Sequence, residues 1–140
     1  MIQYNVGTIL IRCPNWVGDI VMATPLLDCI RENFPNARIT GIIGKNTQGI
    51  VRDGPWFDDF IDCEDKTAAG MWRMIKKIKD FKPDMAILLP NSVRCVLPVL
   101  LGKTKHIYGY RRNFRGMFLN GGPRPLRRGI KIAPIPMQEY

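Results

Sequence analysis

The sequence predicts an α/β domain, a doubly wound parallel sheet with helices on both faces. Three observations carry this. Short β-rich apolar runs alternate with helical patterns from Thr8 through Tyr110, the order that right-handed βαβ units produce. The run MAILL at Met85–Leu89 is apolar on both sides, which suits a strand in the middle of a parallel sheet covered by helices. The stretch from Thr8 to Leu27 reads as strand, tight loop and opening helix, the kind of corner where open α/β sheets hold their ligands.

In chain order, TILIR (Thr8–Arg12) is the first strand, and CPNWVGD is the loop after it. Ile20, Val21, Ala23, Thr24, Leu27, Ile30 and Phe34 then keep a helical spacing. Pro25 interrupts that spacing and predicts a kink, or a helix start at Thr24, because proline removes one backbone bond and crowds the preceding turn. RITGII (Arg38–Ile43) is a second strand, 46–53 a short helix, and Asp59–Asp62 a weak third strand. Thr67–Phe81 is an amphipathic helix with Ala68, Met71, Trp72, Ile75 and Ile78 as its apolar stripe and Arg73, Lys76, Lys77 and Asp80 facing away. After the Met85–Leu89 strand, Ser92–Leu101 forms an apolar helix with Ser92 as candidate N-cap and Gly102 as its stop. Lys105–Tyr110 is a fifth strand. Residues 121–140 are a basic, Pro/Gly-rich connection rather than core.

The 140 residues suffice for one domain with one core. Charge is unevenly placed: residues 1–70 hold 6 Lys/Arg and 9 Asp/Glu, while residues 71–140 hold 15 and 3. No carboxylate side chain lies between Asp84 and Glu139. A one-sided cationic surface of this kind attracts phosphorylated glycolipid, nucleic acid or an anionic membrane face. Cys13, Cys29, Cys63 and Cys95 form no C-x-x-C pair and fit reduced thiols better than a disulfide framework or a zinc site. His106 is the sole histidine, which rules out His-based metal sites and Ser-His-Asp triads built within this chain. The first apolar run is short and contains Arg12, so no signal peptide is expected. No stretch approaches the roughly 20 apolar residues that span a bilayer. The absence of G-x-G-x-x-G and of a P-loop argues against both nucleotide motifs in this chain.

Three loops carry the candidate chemistry. Asp19, placed in the loop after Gly18, is ionised at neutral pH and can take a proton from an attacking alcohol. Its bland alternative is a helix cap. Gly18 admits close approach, while Asn15 and Trp16 offer a polar group and an indole that stacks on a sugar or base. In Leu89-Pro90-Asn91-Ser92, Asn91 and Ser92 with the following amides can hold phosphate or hydroxyls, or simply form a turn. In GYRRNFR, Arg111, Arg112 and Arg115 combine forked cations with aromatics, a set suited to phosphate, carboxylate or single-stranded nucleic acid. Arg94 adds to the same basic flank. Asp58, Asp59, Asp62, Glu64 and Asp65 read as an acidic edge rather than a metal cluster.

Taken together, IRCPNWVGDIVMATPL, LPNS and GYRRNFRGMFLN resemble the corresponding motifs of ADP-heptose–lipopolysaccharide heptosyltransferases, the second heptosyltransferase most closely. The resemblance runs from Thr8 to Asn120. It implies the GT-B fold of two Rossmann-like halves, with residues 1–120 as the acceptor-binding amino-terminal domain and 121–140 leading toward an absent donor-binding domain. This chain by itself is then expected to be inactive. For the whole enzyme it implies a cytoplasmic inverting glycosyltransferase that needs no metal or other cofactor. Asp19 maps onto the family's catalytic base. Asn15, Trp16, Gly18, Asn91, Ser92, Arg94, Arg111, Arg112 and Arg115 are then expected on the acceptor side. The implied partners are an anionic lipid A–core glycolipid, a nucleotide-sugar donor and the inner membrane face, with no specific nucleic acid. The reading from another class is a non-catalytic basic module that binds phosphorylated ligands or nucleic acid.

Overall fold

The computed structural model describes residues 6–90 and 93–109. Five parallel strands, β1 (Thr8–Arg12), β2 (Arg38–Ile43), β3 (Asp59–Asp62), β4 (Met85–Leu88) and β5 (His106–Gly109), form one sheet in the order β3-β2-β1-β4-β5. The doubly wound prediction holds. Strand order reverses direction between β1 and β4, so the crevice beyond their carboxyl ends is the topological switch point. The boundary at 120/121 and the connection 121–140 lie outside the described residues.

Helices α1 (Val17–Asn33), α2 (Ala68–Phe81) and α3 (Val93–Leu101) cover the sheet. Alternate β1 side chains serve opposite faces. Ile9, Ile11 and Cys13 pack with Ile20, Leu27 and Ile30 of α1. Leu10 packs with Met74 and Ile78 of α2 and with Val96 and Val99 of α3. The predicted helix at 46–53 contracts to a single 3-10 turn, Gln48–Ile50.

The first helix begins earlier than Thr24 and runs through Pro25 to Asn33. Proline cannot supply the N–H that the Val21 carbonyl would normally accept. The Thr24 hydroxyl donates to that carbonyl at 2.7 Å instead, so the turn keeps a hydrogen bond. The stripe of α2 is also shifted from its predicted phase. Gly70, Met74 and Ile78 are the buried positions, and Trp72 is 70% exposed. Gly102 ends α3 for a reason of space rather than backbone handedness. A Cβ there would stand 2.4 Å from Ile78 Cγ2, and the positive φ of this turn belongs to Lys103.

Charges lock the remaining edges. Arg31, at the end of α1, donates to the carbonyls of Pro55, Ala37 and Trp56 and pairs with Asp58. Asp84, just before β4, accepts from the N–H of Gly7 at 3.0 Å and of Thr8 at 3.2 Å, and pairs with Lys105. Burial alone would raise its pKa, but the Gly7 N–H, Lys105 and the Thr8 N–H outweigh it and hold the carboxyl below its ordinary range. A carboxyl lowered in the folded state stabilises fully above its unfolded value, about pH 4, and that stabilisation is lost as pH falls through the lowered folded value. Urea midpoints should therefore fall on acidification below about pH 4, and the acid-induced fall should be smaller in Asp84→Asn.

Candidate active site

Residues 13–16 leave the carboxyl end of β1 beside the end of β4. The Cys13 N–H donates to the Ile42 carbonyl at 2.9 Å, and the Leu89 N–H donates to the Arg12 carbonyl at 3.2 Å. The second bond sets the loops after β1 and β4 side by side at the switch point, and the first holds the end of β1 to β2. Leu88 pairs in register with Gly109, so β5 ends at the same edge.

Pro14 is buried and anchors the first loop, whereas Asn15 and Gly18 are exposed and Trp16 is 75% exposed. Trp16 is the N-cap of α1 in extended conformation, and its side chain makes no cap hydrogen bond. The helix therefore presents uncapped N–H groups and the positive end of its dipole at this edge. A Cβ on Gly18 would find nothing within 4 Å, so the backbone there is open to a ligand.

Asp19 does not lie in the loop. It occupies the third position of α1, within the first turn of the helix. Its side chain is half-buried and enters no hydrogen bond or ion pair with another described residue. A carboxylate placed to cap the helix would bond to the free N–H groups of the first turn. This one does not, which removes the main bland explanation for its position. Its place in the first turn sets it at the positive end of the α1 dipole, within reach of a ligand bound at this edge.

Arg94 lies on the first turn of α3, at the same edge of the sheet, and is exposed. Asn91, Ser92, Arg111, Arg112 and Arg115 lie outside the described residues.

The acidic edge resolves into separate pairs: Asp58 with Arg31, Asp59 with Arg38, Asp62 with Lys45, Glu64 with Arg73 and Asp65 with Arg12. Among the described residues no group of three or more His, Cys, Asp or Glu is arranged to hold a metal ion. Cys13, directly after β1, is no nucleophile at neutral pH, because burial pushes its thiol up to about 12 despite the neighbouring Arg12.

Arg12 was legible in the sequence only as a charge inside the first apolar run. It is 1% exposed and sits at the carboxyl end of β1, on the face covered by α2 and α3. Its guanidinium donates to Asp65 Oδ2 at 3.1 Å and to Cys63 Sγ, both beyond the end of β3. Burial pushes the Cys63 thiol up, and Arg12 offsets only part of that. Arg12 thus ties the floor of the site to the β3–α2 loop. A cation closing an apolar strand, followed by C-x-D after another strand, is the sequence signal that could have revealed it.

These features define a class: a Rossmann-like α/β domain with, at its switch point, a carboxylate that has no partner among the described residues. Within that class the chain is similar to heptosyltransferases. It is 28% identical over 136 residues to lipooligosaccharide heptosyltransferase 2 of Haemophilus influenzae, covering 94% of this chain and 38% of that protein. The solved structure of E. coli ADP-heptose lps heptosyltransferase II superimposes with a TM-score of 0.74 at 26% identity, over 86% of this chain and 35% of that one. A glycosyltransferase family 9 structure from Veillonella parvula reaches a TM-score of 0.75 at 21% identity, over 84% and 36% respectively, and speaks for the fold alone. No family model matches the chain. The chain thus spans well under half the length of each of these proteins.

Proposed function

We propose that this chain forms the acceptor side of an inverting glycosyltransferase that moves heptose from ADP-heptose to the inner core of lipopolysaccharide. The observation that carries the reading is the Asp19 carboxylate at the switch point, without a partner among the described residues and inside the W-V-G-D sequence that resembles the motif of heptosyltransferases. Asp19 takes the proton from an acceptor hydroxyl. The oxygen attacks the anomeric carbon on the side opposite the leaving group, the bond to the diphosphate breaks, and ADP departs with its electron pair. A single displacement inverts the centre and needs one base, as in the inverting hydrolases. No metal or other cofactor enters this scheme.

On the acceptor side, Asn15, Trp16 and the open backbone at Gly18 contact the sugar, while Asn91 and Ser92 hold hydroxyls or phosphate. Arg94, Arg111, Arg112 and Arg115 draw in the phosphorylated core. The donor is held mainly by a second half, and the enzyme works in the cytoplasm at the inner membrane face.

The run without acidic side chains between Asp84 and Glu139 favours one other reading, a basic module for phosphorylated ligands or nucleic acid. Calorimetry separates the two. The chain should bind a phosphorylated inner-core oligosaccharide at one site, and single-stranded oligothymidylate should not displace it. Nucleic-acid binding instead, weakening by about tenfold or more between 50 and 200 mM salt, would favour the module.

A further inference from the structure

The outer side of the α2–α3 layer takes no part in the site above. The two helices pack against each other on one face of the sheet, with Gly102 at the end of α3 seated on Ile78 of α2. On α2, Met74 and Ile78 point inward, leaving Trp72 70% exposed. Trp72, Ile75, Lys76 and Lys79 line an open groove of roughly 270 Å³. On α3, Leu97 and Leu101 are about half exposed. This helix pair therefore shows an indole and leucines to solvent beside its charged side chains, more apolar surface than an outer helix face ordinarily carries.

Charge selects the occupant. With Arg73 taken by Glu64, Lys76, Lys77 and Lys79 of α2 stand against one carboxylate on that helix, Asp80. Arg94 is exposed on α3, and Lys103 follows it. A second copy of this chain would bring these cations against their like, which opposes self-association. An anionic bilayer meets both demands at once: its headgroup region accommodates a tryptophan and leucines, and its phosphates attract the lysines beside them.

We propose that the α2–α3 outer face docks on the surface of an anionic phospholipid bilayer, with Trp72 set among the headgroups and Lys76 and Lys79 on lipid phosphates. This deepens the function proposed above, on which only the identity of the membrane rests. The face itself is read without any sugar.

The test is co-sedimentation of the full chain with vesicles of phosphatidylglycerol and phosphatidylcholine, and with phosphatidylcholine alone. Binding should require the anionic lipid. It should fall about fivefold in Trp72→Ala and about tenfold or more in the Lys76→Glu/Lys79→Glu double variant. Both substitutions lie on exposed positions, and circular dichroism checks that each variant is folded. Oligosaccharide binding measured by calorimetry should stay unchanged in both, so this claim and the acceptor claim fail separately. Three results overturn the proposal: equal binding to neutral vesicles, parent-like binding by both variants, or a dimer in sedimentation velocity that Trp72→Ala dissolves.

Discussion

Asp19→Asn, in this chain completed by a donor-binding half, should lower heptose transfer by about 10²–10⁴-fold, the range a positioned general base contributes. Acceptor affinity should stay within about threefold of the parent, because the proton is taken only as the transition state forms. The substitution keeps the side chain's shape. Asp19 is half-buried and pairs with no described residue, so exchanging it breaks no hydrogen bond or ion pair to a described residue. The amide cannot accept the proton, and the loss should fall on kcat rather than KM. Turnover close to the parent's would remove Asp19 from the role.

The second large effect concerns Arg12 and is one of stability. Its guanidinium is 1% exposed, with Asp65 3.1 Å away as its carboxylate partner. Asp65→Ala would leave a buried cation without a counter-charge and should cost about 3 kcal/mol, since breaking a buried pair from one side exposes its desolvation penalty. Arg12→Met keeps much of the volume and removes the charge that needed compensation. The remaining carboxylate lies nearer the surface, so this variant should cost only about 1 kcal/mol. Urea unfolding of both variants tests the asymmetry. Equal losses would show that packing, not charge, dominates at this position.

The strands were legible because each is a short apolar run between turn residues: TILIR, RITGII and DFID fall at the predicted bounds. The helices were read less well, and each miss has a physical cause. Pro25 looked disruptive because the hydroxyl that replaces its missing N–H belongs to its neighbour Thr24, a bond that spacing does not reveal. Helical spacing puts Trp72 in the predicted apolar stripe of α2. The core took Met74 instead, since Met74 and Ile78 pack against the sheet and α3 while Gly70 fits closely under the β3–α2 loop at Glu64. Gly102 does follow the last residue of α3, as its stop signal predicts, and what demands glycine there is Ile78, far away in sequence.

The candidate site was legible in part. Asn15, Trp16, Gly18 and Asp19 fall at the switch point because strand order alone puts the first loop there. Arg12 escaped notice because its partners, Cys63 and Asp65, lie about fifty residues on, and nothing local marks a cation as buried. Asp19's freedom from capping bonds likewise depends on three-dimensional detail.

The central claim is that the acceptor docks over Asp19 at the carboxyl edge of β1 and β4. Amide NMR of the isotopically labelled chain, titrated with phosphorylated inner-core oligosaccharide, tests it most directly. The account predicts saturable shifts at Asn15, Gly18 and Asp19, at the Trp16 indole and at Leu89 and Arg94. Shifts confined to the opposite edge around Gly7 and Asp84, or to the outer face of α2, would contradict it.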